Sequence, residues 1–269
     1  MPLIFSNNKG KRKSLLLSVM SSIIFDYFVR QKLGGVNMTF GYVRQFPILA
    51  PIQLLDYEQI ILPKIVELLY TSWDIKAFAD DLWREADDDL KAAIREQWEN
   101  NKQATGGHVW ELPEWVEAYP EIDWDPEKNG GCPLPPFKWD EERRALLRAE
   151  LDAWYALLYG LERDELRYIL DPKEVHGEDF PGETFRVLKE KEIRQYGEYR
   201  THRLVLEAYD RLRPDWDMEA HLDKLKEVWE ECQKNRTAEY LSKKKYDIKN
   251  TSSQVNEDSD RQYGGLFDQ

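Results

Sequence analysis

Asp140-Glu141-Glu142-Arg143-Arg144-Ala145-Leu146-Leu147-Arg148-Ala149-Glu150-Leu151-Asp152-Ala153-Trp154-Tyr155-Ala156-Leu157-Leu158 is the stretch that decides the fold. Asp140 can accept from the free N–H groups of a first helical turn, and Glu141 and Glu142 lie where the helix dipole favours negative charge. Leu146, Leu147, Leu151, Trp154 and Leu158 recur at helical spacing, and Gly160 ends the run. The pattern predicts a long helix with a core-facing stripe in which Trp154, Leu158 and Leu161 are packing residues.

Outward from it, helices recur on both sides. Residues 14–32 carry apolar positions at helical spacing between a capping Ser14 and the Gly34-Gly35 pair. Tyr57–Thr71 reads as a second apolar helix, with an extended linker between Pro47 and Pro51 before it. Asp87-Asp88-Asp89 marks another helix start. Asp164–Leu170 is a short helix stopped at Pro172. Glu183–Gln195 and Glu198–Arg213 are separated by Gly197, and Met218–Lys245 is a last, densely charged helix. Two segments break the pattern. Thr39, Tyr42, Val43 and Phe46 suit one or two short strands ended by Pro47. Residues 104–139 hold two Gly-Gly pairs, six prolines and several Trp, which predicts a long irregular loop. The expected fold is therefore mainly α: a helical bundle-like domain with a small β element near the N-terminus and a long Trp/Pro-rich loop. The expected organisation is residues 1–56, a helical domain over 57–246, and a disordered polar tail over 247–269.

Charge and composition narrow the function. The 269 residues carry a net charge of −13, so the chain as a whole does not resemble an autonomous binder of nucleic-acid backbone. The first sixty residues differ, with Lys9, Lys11, Arg12, Lys13, Arg30, Lys32 and Arg44 against Asp26, Asp56 and Glu58. Any nucleic-acid contact is expected there. Cys132 and Cys232 lie a hundred residues apart, a usage that fits a reducing, cytoplasmic compartment. The basic run at Lys9–Lys13 followed by Leu15–Phe28 loosely imitates a signal peptide, but Ser18, Ser21, Ser22 and Asp26 interrupt it. It is also too short and polar to span a bilayer. A buried amphipathic helix and no membrane partner are expected.

Several chemistries lack their residues. Methyl transfer to an adenine amine needs a Gly-rich turn after a strand for S-adenosylmethionine. It also needs an Asp/Asn-Pro-Pro-aromatic loop beside the flipped base. The one Pro-Pro pair, Pro135-Pro136, follows Leu134 and offers no acceptor for the amine. His108, His176, His202 and His221 are scattered, which disfavours a metal site. Asp171-Pro172-Lys173 with Glu178, Asp179 or Glu183 could imitate a nuclease site, but a helix end with a charged turn is the simpler reading. No catalytic, cofactor or metal residue is assigned.

Four stretches, in order, carry a resemblance. The first runs from Ile24-Phe25-Asp26-Tyr27-Phe28-Val29-Arg30-Gln31-Lys32 through Gly34-Gly35 to Phe46-Pro47-Ile48-Leu49. The second is Pro63–Trp73 with Phe78-Ala79-Asp80. The third is Pro136–Arg144, continuing to Leu161. The fourth runs from Phe180 to Phe185 and on through Tyr199-Arg200-Thr201 and Leu204-Val205-Leu206. Together they resemble the C-terminal region of large single-chain restriction–modification adenine methyltransferases, the type IIG and related families. The resemblance implies the end of a target-recognition domain followed by a helical domain. In that family the cofactor and catalytic motifs precede this region. It therefore implies a fragment, a split-gene product or a subunit docking on a catalytic chain, with S-adenosylmethionine bound there and double-stranded DNA as partner.

The residues themselves are compatible with that. Arg30, Gln31, Lys32, Asn37, Thr39, Arg44 and Gln45 form a donor-rich set around the Gly34-Gly35 turn; Arg and Gln can read purine edges and Lys can hold phosphate. Arg30 and Lys32 suit a helix C-terminus equally well. Arg200 and Arg203 are expected to make surface ion pairs with Glu198 and Glu207. A helical adaptor that binds proteins and no nucleic acid is the alternative reading.

Overall fold

The computed structural model describes residues 10–35, 38–106, 113–115, 130–180, 184–231 and 233–235. They divide into two units, residues up to Trp216 and residues from Asp217. The first contains α1 (Gly10–Ser21), α2 (Ile23–Lys32), α3 (Phe40–Val43), a 3-10 turn (Pro51–Tyr57) leading into α4 (Glu58–Leu69), α5 (Lys76–Glu85) and α6 (Asp88–Ala104). Beyond residue 130 come α7 (Glu141–Leu158), α8 (Arg163–Leu170), α9 (Pro172–His176), α10 (Arg186–Tyr196) and α11 (Arg200–Leu212). In the second unit residues 218–231 are helical. The architecture is mainly helical, and no strand occurs among the described residues.

α7 is the central element. The Asp140 carboxylate accepts from the Arg143 N–H at 2.8 Å. At the other end the Leu161 and Gly160 N–H groups return to the Ala156 and Leu157 carbonyls, with Gly160 at φ +73°. That positive φ costs glycine little, which is why the helix stops there. Tyr155, Ala156, Leu157 and Leu158 are consecutive and all fully buried, so neighbours surround this end of the helix. α11 packs along α7, and α1, α2 and α4 pack around them. Leu147, Leu151 and Leu158 face the core as expected, whereas Leu146 points outward. Trp154 meets Tyr57 and Trp216 ring to ring, at centroid separations of 6.3 and 5.6 Å.

A polar knot fixes α4, α6 and α7 to one another. The Glu67 side chain, 2% exposed, accepts from Arg143 Nε at 2.6 Å and Nη2 at 3.0 Å. It also accepts from Asn101 Nδ2 at 2.9 Å and Gln97 Nε2 at 2.5 Å. Asn101 then grips the segment just before α7, donating to the Lys138 carbonyl and accepting from the Lys138 N–H. Beside it the Phe137 N–H donates to the Tyr70 carbonyl and the Trp98 indole to the Pro135 carbonyl. Pro135-Pro136-Phe137 is thus a rigid lead-in to α7. A second buried pair, Lys76–Asp80 at 2.6 Å, holds residue 132, whose N–H donates to Asp80.

Two sequence expectations change. The N-terminal β element is absent: residues 40–43 form α3, and Tyr42, Val43 and Phe46 turn toward α2. Thr39, Tyr42, Val43 and Phe46 are spaced i, i+3, i+4, i+7, a helical period, and β-branched composition misled the strand reading. Residues 14–32 are two helices, not one. The Ser22 hydroxyl donates to the Val19 carbonyl and accepts from the Phe25 N–H, which breaks the run. The first begins at Gly10 because Glu85 of α5 accepts from the Gly10 and Lys11 N–H groups. As expected, α8 stops at Leu170, with Asp171 extended before Pro172; Pro172 then opens α9, in the position where its missing N–H costs least. Much of the 104–139 loop and the whole 247–269 tail lie outside the described residues, as do residues 236–245 of the last predicted helix. Leu15, Val19 and Ile24 are fully buried, and no described helix is long and apolar enough to cross a membrane.

Removing Glu67 would leave Arg143 and Asn101 without their shared acceptor. Glu67→Ala is expected to lower stability by about 3 kcal/mol, read from the urea midpoint at unchanged m-value; a loss below about 1 kcal/mol would show that the knot is not structural.

Candidate nucleic-acid interface

α2 and the α3 segment present the donor-rich set. Phe25 and Val29 on the underside of α2 pack against Phe46, with Leu33, Tyr42, Val43 and Ile48 around them. The Phe25 and Phe46 rings meet edge to face at 5.7 Å. Phe28 packs on Tyr159 of the α7 end, whose hydroxyl donates to the Pro47 carbonyl at 2.7 Å. An apolar base therefore anchors both arms of the turn to the central helix, and the polar residues are left outside.

Those residues divide by what holds them. Arg30 lies against Asp26, its Nε 2.9 and 3.0 Å from the two carboxylate oxygens, and its guanidinium sits 5.4 Å from the Phe185 ring. Gln31 donates to the Thr184 hydroxyl at 3.0 Å. Arg30 and Gln31 thus brace α2 against the start of α10. Lys32 is exposed at the end of α2. Arg44 is exposed over the Phe40 ring at 5.3 Å, and Gln45 donates to the Gly41 carbonyl at 3.0 Å. Thr39 sits at the start of α3 without a side-chain cap bond. Asn37 lies outside the described residues. The sequence reading missed the apolar part of this surface: Phe40 is 66% exposed, with Met38 also exposed beside it. Its signal was the helical spacing at residues 39–46, which leaves Phe40 off the inward face.

The remaining chemistry-bearing groups are engaged within the fold. Arg203 bonds Glu198 and Glu207, as the spacing suggested, while Arg200 reaches Glu142 with both terminal nitrogens. His202 faces the Glu174 carboxylate at 2.5 Å, and Asp171 pairs with Lys189 at 2.7 Å. His176 stacks on Phe180. His108 and Cys232 lie outside the described residues. Burial pushes the Cys132 thiol up to about 11, so it is a thiol at neutral pH. Among the described residues no group of three or more His, Cys, Asp or Glu could hold a metal ion.

A cleft of about 420 Å³ opens between the α1–α2 junction, α7, α10 and α11. Asp152 forms part of its wall and accepts from the Ile23 N–H at 2.8 Å, which caps α2 from outside its own sequence. Burial pushes the Asp152 carboxyl up to about 7, against the opposing pull of that N–H and of Arg148. No protein-family model, no curated protein and no solved structure matches the chain.

The Asp152 carboxyl is held above the ordinary aspartate range, so the fold favours its protonated form. Its contribution is present in full below about pH 4 and is lost as pH rises through about 7. Asp152→Asn keeps an acceptor for Ile23 without the charge. It is expected to melt with the parent at pH 4 and above it at pH 8; equal melting temperatures at both pH values would refute the burial effect.

Proposed function

We propose that this chain is a DNA-recognition and scaffolding segment of an adenine-specific (N6) DNA methyltransferase of a restriction–modification system. Residues 26–49 close the recognition surface, and the helices beyond brace it. S-adenosylmethionine and the target adenine are held by another polypeptide or domain.

One observation carries the reading. Exposed Lys32, Arg44 and Gln45 flank a Gly-Gly turn whose apolar base, Phe25–Val29–Phe46, is anchored on the core. A rigid base matters because phosphate and base contacts discriminate only when the donors are held in place. Lys32 suits a phosphate, and Arg44 and Gln45 suit a base edge or the backbone beside it. Arg30, held by its Nε on Asp26, and Gln31, donating to Thr184, serve the reading as braces of this surface. The resemblance of residues 15–213 to the C-terminal region of such methyltransferases supports the same assignment.

The test is fluorescence anisotropy of a labelled duplex across a salt series. Two phosphate contacts predict a slope of about −2 in log affinity against log salt, and Lys32→Ala or Arg44→Ala should each lower its magnitude by about one. Absence of duplex binding at about 50 mM salt would favour a protein-binding helical adaptor and overturn the proposal. So would methylation of adenine by the isolated chain.

A further inference from the structure

A second concave surface lies on the other side of α7's exposed edge. It is an apolar groove of about 200 Å³ between α1, α4 and α7. Leu151, Ile65 and Tyr155 form its floor, and all three are buried. Tyr155 is satisfied there by donating to the Ser18 hydroxyl at 2.7 Å. Leu17 from α1, 45% exposed, and Leu68 from α4 form opposite walls. This volume falls below the range of about 300 Å³ and upward in which free small ligands are usually enclosed. It suits one or two apolar side chains presented by a larger molecule.

The rim is cationic. Arg144 and Arg148 stand one turn apart on α7 and both line the groove. The Arg144 guanidinium lies 3.6 Å from the centroid of the Trp139 ring, which is itself 58% exposed. One of its terminal nitrogens donates to the Leu68 carbonyl at 2.9 Å, but its buried Nε has no hydrogen-bond partner. Burial, and then the nearby Arg148 charge, hold the Arg144 pKa below the ordinary arginine value. Arg148 pairs with Glu141 at 3.2 Å, and both side chains of that pair are exposed. Two guanidinium groups side by side on the rim are a like-charge pair that an incoming carboxylate relieves. Asp152, at the end of the groove, is occupied in capping α2.

We propose that this groove receives an amphipathic helix of a protein partner, which places an apolar side chain between Leu17 and Leu68 and an acidic side chain against Arg144 and Arg148. The mode is helix-in-groove recognition, with apolar anchors one turn apart for affinity and the charge for orientation. If the chain belongs to a methyltransferase system, the catalytic polypeptide is the natural donor of that helix. The groove's chemistry does not require that assignment, and duplex binding and helix binding are separate readouts.

The experiment uses the full chain with labelled leucine methyl groups and three amidated helical peptides of about 12 residues. All three carry the same Leu and Phe anchors; the flanking positions are Glu, Gln or Lys. The Glu peptide is expected to shift the Leu17 and Leu68 methyl signals and to bind at least about fivefold more tightly than the Gln peptide, with the Lys peptide weakest. Arg148→Gln, at an exposed position, should erase that preference while the melting curve is retained, and Leu17→Lys should abolish binding. Equal affinity for the three peptides, shifts confined to other leucines, or no binding at about 1 mM peptide would each overturn the proposal. So would methyl shifts that track protein concentration alone, since the occupant would then be a second copy of this chain.

Discussion

The Glu67 carboxylate, buried where α4, α6 and α7 meet, is the constraint on which the arrangement of the unit rests. A carboxylate removed from water is costly unless hydrogen bonds replace the lost solvent. Here Arg143, Asn101 and Gln97 supply them, each from a different turn of the two neighbouring helices. The geometry admits little sliding, because a helix shifted by one residue would carry its donor away. Asn101 extends the constraint to the segment that leads into α7 through both polar groups of the Lys138 backbone. The direction in which α7 enters the core is therefore set by a polar contact, and the apolar stripe then fills in around it.

α7 in turn determines where the outer elements sit. Its C-terminal half is enclosed by α1, α2, α4 and α11, so the α2–α3 arm is docked against a helix that is itself fixed. The arm adds Phe28 on Tyr159 and the Tyr159 hydroxyl on the Pro47 carbonyl. Exposed donors at Lys32, Arg44 and Gln45 are consequently presented from a stiff mount. The same helix exposes Arg144 and Arg148 along its other edge. One element thus organises two chemically different surfaces.

The features legible in the sequence were those whose cause is local. Asp140, Asp87 and Gly160 act within a turn of their own position, so the helix limits they impose could be read directly. The apolar stripe of α7 and the Arg203–Glu207 ion pair arise from the 3.6-residue period. The missed features have distant causes or ambiguous spacing. Glu85 extends α1 from more than seventy positions away, and nothing near Gly10 announces it. Asp152 caps α2 from across the core. The α3 segment was misassigned because its residue types suggest strand while its spacing suggests helix, and spacing was the better guide. For the candidate interface, residue identity was legible but partnership was not: no local rule sends Arg30 to Asp26 and Phe185, or Gln31 to Thr184, rather than outward.

α10 is built differently from its neighbours. None of its residues is buried, and Val187 is 72% exposed. It is moored by polar tethers: Lys189 to Asp171, Glu192 to the Thr201 backbone and hydroxyl, and the Gln31–Thr184 bond just before it. Only the Lys189–Asp171 tether joins two full charges, and both side chains are mostly buried, so salt screens it little. A helix with no buried residue opens at lower cost than the Glu67-centred core, so α10 is expected to exchange its amide protons through local openings while that core stays closed.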